Sequence, residues 1–309
     1  MPLYVQGKKL TQIQDSVTDF FEEFPHFKEN GKELCSQTKK VIQPQGLLYV
    51  DQREYAAVTP NDTCIKTLGS DDATTCHIVV MRHSVTKVTC LGHLDGSGTE
   101  AGLREMMDLV IRLSDHTTEG RVEVHMIGGF KDSRNLSAQL SIEILKTFHE
   151  MNEDVYLETA CITDVNNVTK DALEFPVIYG IAVNVANGDV FNASFSTTRP
   201  DRTLRSARHF TGGRQMLNIY DNENEQLTIG PFDYDPFENL DLWVRLPDHY
   251  IRQYLSTSPE QEPEHFVANV RRTLCFIHDN PKPLETIFKD GKPRRFKIQE
   301  DGAWTLLEV

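Results

Sequence analysis

The chain lacks any excess of positive charge: 32 lysines and arginines stand against 46 aspartates and glutamates, a net charge of −14 over 309 residues. A nucleic-acid binder needs a basic footprint, and docking on anionic lipid needs a basic face, so both are argued against. No apolar run approaches the length that spans a membrane. The opening residues, MPLYVQGKKLTQIQDS, lack the apolar stretch of a secretory signal. Without an export signal, the six dispersed cysteines (Cys35, Cys64, Cys76, Cys90, Cys161, Cys275) read as reduced thiols of the cytosol or nucleus. There is no C-x-x-C and no H-E-x-x-H, so zinc-ligand spacing is missing. Repeats, low-complexity tracts and Pro/Gly/Ser linkers are missing too. One domain is expected, with the acidic, aromatic stretch 220–260 as its weakest point.

What is present is a mixture of helix and strand periodicities. Val17, Phe20, Phe21 and Phe24 recur at helical spacing before Pro25. The segments 101–116, 135–152 and 262–279 also read as helices. GLLYVDQREYAAVTP (46–60) reads as a strand followed by a turn. CHIVVMRH and VTCLGHL read as two strands joined by a short link. RVEVHMIGGF, YLETACIT, PVIYGIAVNVANGDVFNASF and QLTIGPF add further strands, with Asn187-Gly188 as a hairpin signal. Hairpins predominate over steady β-α-β alternation. The expected class is α+β: mainly antiparallel sheets flanked by helices.

One cysteine has an unusual setting. In GSDDATTCHIVVMRH (69–83), small and acidic residues lead to Cys76, and an apolar strand follows. A tight turn at Ser84-Val85 would set Cys76 opposite His93, with Cβ atoms about 4.5–5.5 Å apart. A facing imidazole can share the thiol proton and make the sulfur a nucleophile. The other reading is a small buried hydrophobe, and Cys35, Cys64, Cys90, Cys161 and Cys275 receive that one. A metal site from His77, His83, His93 or His125 is the rival. His77 and His83, six strand residues apart, lie about 20 Å from each other and cannot share one ion.

The blocks PQGLLYV, LGSDDATTCHIVV, FPVIYGIAVN, STSP and PEHFV resemble the N-terminal asparagine amidohydrolases, nearly end to end. The Cys…His arrangement is also similar to chemoreceptor glutamine deamidases and deamidating toxins, whose β-sandwich carries Cys and His on neighbouring strands. The resemblance implies an α-β-β-α sandwich and conversion of an N-terminal asparagine side chain to aspartate, a step that feeds degradation by the N-degron route. It implies protein or peptide substrates, no nucleic acid, no membrane, a monomer and no cofactor. Carried over by position, Cys76 is the nucleophile, His93 the base, and Ser70, six residues earlier, the hydroxyl that orients it. The family's mature chain begins at Pro2, near the active site, which makes Pro2 a candidate for substrate binding. A free α-ammonium needs an anion, and Asp72 is preferred over Asp71. Two alternatives stay open: another cysteine deamidase acting on glutamine, and a module that binds N-terminal residues without turning them over.

Overall fold

A computed structural model of the chain describes residues 3–115, 118–235 and 238–307; Pro2 lies outside them. Its core is two stacked sheets. The larger has eight strands, and its centre is the hairpin His77–His83 and Thr89–Leu94. Val122–Gly128, Val155–Ile162, Leu3–Val5 and Lys8–Lys9 extend it on one side. Glu54–Val58 and Leu217–Asn218 extend it on the other. The smaller sheet runs Lys40–Ile42, Val190–Phe195, Ile181–Asn184, Thr67–Ser70, Leu47–Tyr49. The class is α+β as expected, though parallel pairs occur in both sheets: Leu3–Val5 and Val122–Gly128 each run parallel to Val155–Ile162, and Leu47–Tyr49 runs parallel to Thr67–Ser70.

Every residue of the central hairpin's strands is buried, which is why the centre of the first strand, Ile78–Met81, reads as a continuous apolar run rather than an alternation. Val79 and Met81 face one core, shared with Met106 and Val110 of the helix Thr99–Leu113 and with Leu140 and Ile144 of the helix Leu136–Glu150. Ile78 and Val80 face the other, shared with Leu68, Ile181 and Val183 of the smaller sheet. Each such side chain contributes about 1.5–3 kcal/mol by leaving water. The helix break before Pro25 is observed: Val17–Glu23 ends there and His26–Ser36 begins just after. A third cluster joins the helices Arg202–Phe210, Leu240–Arg245, Asp248–Leu255 and Phe266–Asp279. Among the described residues no helix is long and apolar enough to cross a membrane.

Two local readings change. The segment 46–60 holds two strands, not one. Leu47–Tyr49 lies in the smaller sheet and Glu54–Val58 in the larger, so the chain changes layers between them. The central hairpin also turns later than expected. Residues 84–87 form a four-residue connection closed by His83 N–H to the Val88 carbonyl (2.9 Å) and Lys87 N–H to the His83 carbonyl (2.9 Å). Ser-Val cannot supply the left-handed pair that a two-residue turn needs. Here Lys87 takes the positive φ, at 64°, and the His83 ring accepts the Thr86 N–H at 3.1 Å. His93 therefore pairs with Ile78, and Cys76 sits two residues beyond, before the strand begins. A slip of two residues preserves the face. Cys76 and His93 remain on the same side of the sheet, as diagonal rather than direct neighbours.

Candidate active site

Cys76 lies where the loop 71–75 enters the strand His77–His83, and it lines an open cleft of about 1160 Å³. Local chemistry anchors both ends of the loop. The Asp72 backbone is left-handed (φ 60°), a conformation aspartate tolerates. Ala73 N–H donates to the Tyr179 carbonyl (2.9 Å), and Tyr49 Oη donates to Asp71 Oδ1 (2.8 Å). The Cys76 carbonyl accepts from Gly129 N–H at 2.9 Å. That approach needs glycine next door: a Cβ on Gly128, whose φ is 136°, would stand 2.4 Å from the Cys76 oxygen. The Gly-Gly bend that ends Val122–Gly128 thus seats the backbone of Cys76.

Behind the cleft, His93 is 3% exposed and Ser70 fully buried. Ser70 comes from the smaller sheet, at the end of Thr67–Ser70, and His93 from the larger, near the end of Thr89–Leu94. Ser70 Oγ and His93 Nδ1 are 2.7 Å apart. The sandwich therefore fixes this imidazole from the opposite layer. His93 Nε2 is buried and has no hydrogen-bond partner among the described residues. An unpaired buried ring nitrogen costs free energy, and it is the atom a proton transfer would use.

Burial pushes the Cys76 thiol well above its ordinary pKa; Asp95 and Glu262 add to the rise, while Arg53 and the Cys76 backbone N–H oppose it. Burial lowers His93, against the pull of Asp51, Asp95 and Asp72. Both groups are accordingly neutral at neutral pH: a protonated thiol and an uncharged imidazole. The alkylation rate of Cys76 should therefore keep rising with pH through the alkaline range. A reactivity plateau reached below pH 7 would show a preformed thiolate instead.

The other candidate histidines are placed apart and engaged elsewhere. His77 Nε2 lies 2.7 Å from Ser141 Oγ, and burial pushes it down to about 3. His83 is bonded within its own turn. His125 Nδ1 is 2.9 Å from Thr159 Oγ1, and burial pushes it down to about 4.

Asp72 lines the cleft, but each of its oxygens has a cationic or imidazole partner: Arg202 Nη2 at 2.9 Å and His265 Nε2 at 2.8 Å. These bonds hold it below the usual carboxylate range against the effect of burial. Arg202 also reaches Asp51 at 3.4 Å and stacks over the Tyr49 ring. Asp71 faces inward, and burial and the neighbouring Asp72 charge push it up to about 7. Asp95, Arg53, Arg202 and Glu262, unremarked in the sequence, are among the charged residues that line the cleft. Glu262 alone carried a signal, lying between the STSP and PEHFV blocks.

Comparison with known proteins decides the family: the profile described as "Protein N-terminal asparagine amidohydrolase" matches residues 37–306. The chain belongs to that family. It is 44% identical to the human protein N-terminal asparagine amidohydrolase over 304 residues, covering 98% of this chain and 97% of the human one. The mouse protein of the same name is 42% identical over the same span. The Arabidopsis thaliana one is 26% identical over 321 residues, covering 96% of this chain and 89% of the plant protein. In this amidohydrolase-family member the cleft is assembled from loops at the strand ends of both sheets (51–53, 72–76 and 196–201), from the helices Arg202–Phe210 and Phe266–Asp279, and from the loop 256–265 between helices.

Proposed function

We propose that the chain hydrolyses the side-chain carboxamide of an N-terminal asparagine to aspartate and releases ammonia, with Cys76 as nucleophile, His93 as base and acid, and Ser70 as its orienting hydroxyl. The observation that carries this reading is a thiol on the cleft wall, two residues before the strand partner of an imidazole whose one nitrogen is tied to Ser70 and whose other is left free. It is supported by the names of relatives that match almost the whole chain.

The chemistry follows from two neutral groups. As Cys76 Sγ attacks the amide carbon, its proton passes to His93 Nε2. The ring becomes cationic while the carbonyl oxygen becomes anionic. Backbone N–H groups at Cys76 stabilise that oxygen. The imidazolium gives its proton to the amide nitrogen, the C–N bond breaks, and ammonia leaves with a thioester behind it. His93 then takes a proton from water, hydroxide adds to the thioester, and the S–C bond breaks to give carboxylate and thiol. Ser70 holds the ring so that Nε2 addresses the cleft throughout. Excluding glutamine means rejecting one methylene, which size alone discriminates by only about 1–3 kcal/mol. A reduced compartment, cytosol or nucleus, keeps Cys76 as the thiol this cycle needs.

Ammonia release from matched peptides beginning with asparagine, glutamine, N-acetyl-asparagine, or carrying asparagine internally tests the function. Turnover of the first alone is expected. Comparable turnover of the acetylated or internal peptide points to a general deamidase, and binding without ammonia points to a recognition module.

A further inference from the structure

In asparagine only two carbons separate the α-nitrogen from the carboxamide carbon, so the two atoms lie within roughly 4 Å of each other. Whatever receives the α-ammonium must therefore stand at the same end of the cleft as Cys76. Its carboxylates can be compared by what already holds them. Asp51 faces Arg202 and accepts from Ser206 Oγ at 2.9 Å. Asp72 is held by Arg202 and His265. Asp95 pairs with Arg53 at 2.7 Å and accepts from Gln52 and from Ser97 N–H. Asp201 pairs with Arg294 at 2.8 Å. Each of these has its negative charge answered, while Asp301, the remaining aspartate on the cleft wall, is solvent-exposed and accepts from Ala303 N–H at 2.9 Å.

Glu262 differs. Its side chain accepts from Ser256 Oγ at 2.5 Å, a neutral donor. The nearby Arg252 spends its guanidinium on the backbone carbonyls of Pro259, Glu262 and Pro263 at 3.0–3.3 Å. That clamp fixes the loop 256–265, and Arg252 and His265 draw the Glu262 carboxyl down only without direct contact, too little to offset burial and the Asp72 charge. The loop is also tied to the nucleophile's own segment, because Thr257 Oγ1 and Thr75 Oγ1 are 3.0 Å apart. A half-buried carboxylate beside a reactive thiol, with no cation in hydrogen-bond contact among the described residues, is unfavourable in the empty site. Burial accordingly pushes it up to about 7, and its charge in turn raises Cys76. An arriving ammonium removes both penalties at once.

We infer that Glu262 receives the α-ammonium of the substrate and so restricts the reaction to a free N-terminus; this assignment rests on the proposed function. Asp72, expected in this role from the sequence, then serves to hold the loop 71–75 to Arg202 and His265. The substrate's own charge completes the cleft's electrostatics. A peptide without it leaves Glu262 unanswered and is turned over poorly.

The test compares two substrates on each enzyme: a peptide beginning with asparagine, and the same peptide capped with succinamyl, which keeps the carboxamide but has no amine. For the wild type, kcat/KM should favour the amine by about 10- to 150-fold, the range of a charge-assisted hydrogen bond. In Glu262→Gln that ratio should collapse toward one, chiefly through KM of the asparagine peptide. Asp72→Asn should keep the wild-type ratio even where its thermal stability falls. Should Glu262→Gln not fold, Glu262→Asp, which withdraws the charge by one methylene, should show a reduced ratio. An unchanged ratio in the Glu262 variants, with both substrates slowed alike, would show a structural role and overturn the assignment alone. Absence of ammonia from the asparagine peptide with wild-type enzyme would overturn the proposed function, and this assignment with it.

Discussion

Cys76→Ala is expected to abolish ammonia release, with a loss of at least about 10³-fold, because the covalent path has no substitute nucleophile in the cleft. Cys76 is the one cysteine among the described residues that lines the cleft. Cys90 points into the core on the helix side of the sheet, and burial pushes its thiol up, leaving it inert as a nucleophile. Cys64 is held by the turn at Asp62–Thr63 and by Glu225. Cys90→Ala and Cys64→Ala should therefore retain most activity, with Cys90→Ala losing some thermal stability through the small cavity it leaves. Cys76→Ser should be as inactive as the alanine variant, because a hydroxyl is harder to deprotonate than a thiol and His93 is a weak base in its buried setting. Initial rates of ammonia release, beside melting curves for all four variants, check the set. Full activity in Cys76→Ala would remove the nucleophile from the account.

His93→Ala should cost about 10²–10⁴-fold in kcat, the span usual for a positioned acid–base group. The loss belongs to chemistry rather than binding, so KM should move little. Ser70→Ala should fall between this variant and wild type, since it removes the bond to Nδ1 but leaves the ring. His77→Ala provides the contrast. His77 sits in the adjacent strand, and its ring bonds Ser141 on the helix side of the sheet, so its removal should lower the melting temperature with a much smaller effect on kcat. If His77→Ala and His93→Ala lose kcat equally, with equal losses of stability, the effect is strand disruption and His93 has no special role.

The elements and the relationship between Cys76 and His93 were legible in the sequence for physical reasons that differ. The helix Thr99–Leu113 was readable because one face is continuously apolar. The break before Pro25 was readable because proline cannot continue a helix. Only the shared face of Cys76 and His93 survives the error in register, because face depends on whether a shift is even or odd; the direct cross-strand pair expected between them is replaced by Ile78 and His93. The turn itself was missed because His83 and Thr86 side chains determine it, and turn propensity does not count side-chain bonds of that kind. The strand Glu54–Val58 was missed because a change of layer within four residues leaves no composition signal. Arg202 could not be found from local pattern: it reaches Asp51 and Asp72 across 151 and 130 residues of sequence. Ser70 was named only through the family resemblance, and the structure places it within hydrogen-bond distance of His93.

The most direct test of the central claim is to quench the enzyme in acid during turnover of an N-terminal asparagine peptide and map its cysteines by mass spectrometry. The account predicts a thioester on Cys76, carrying the peptide less ammonia, that decays to the aspartate product at the rate of turnover. Ammonia release with no such adduct, or an adduct that forms on another cysteine at the rate of turnover, would contradict it.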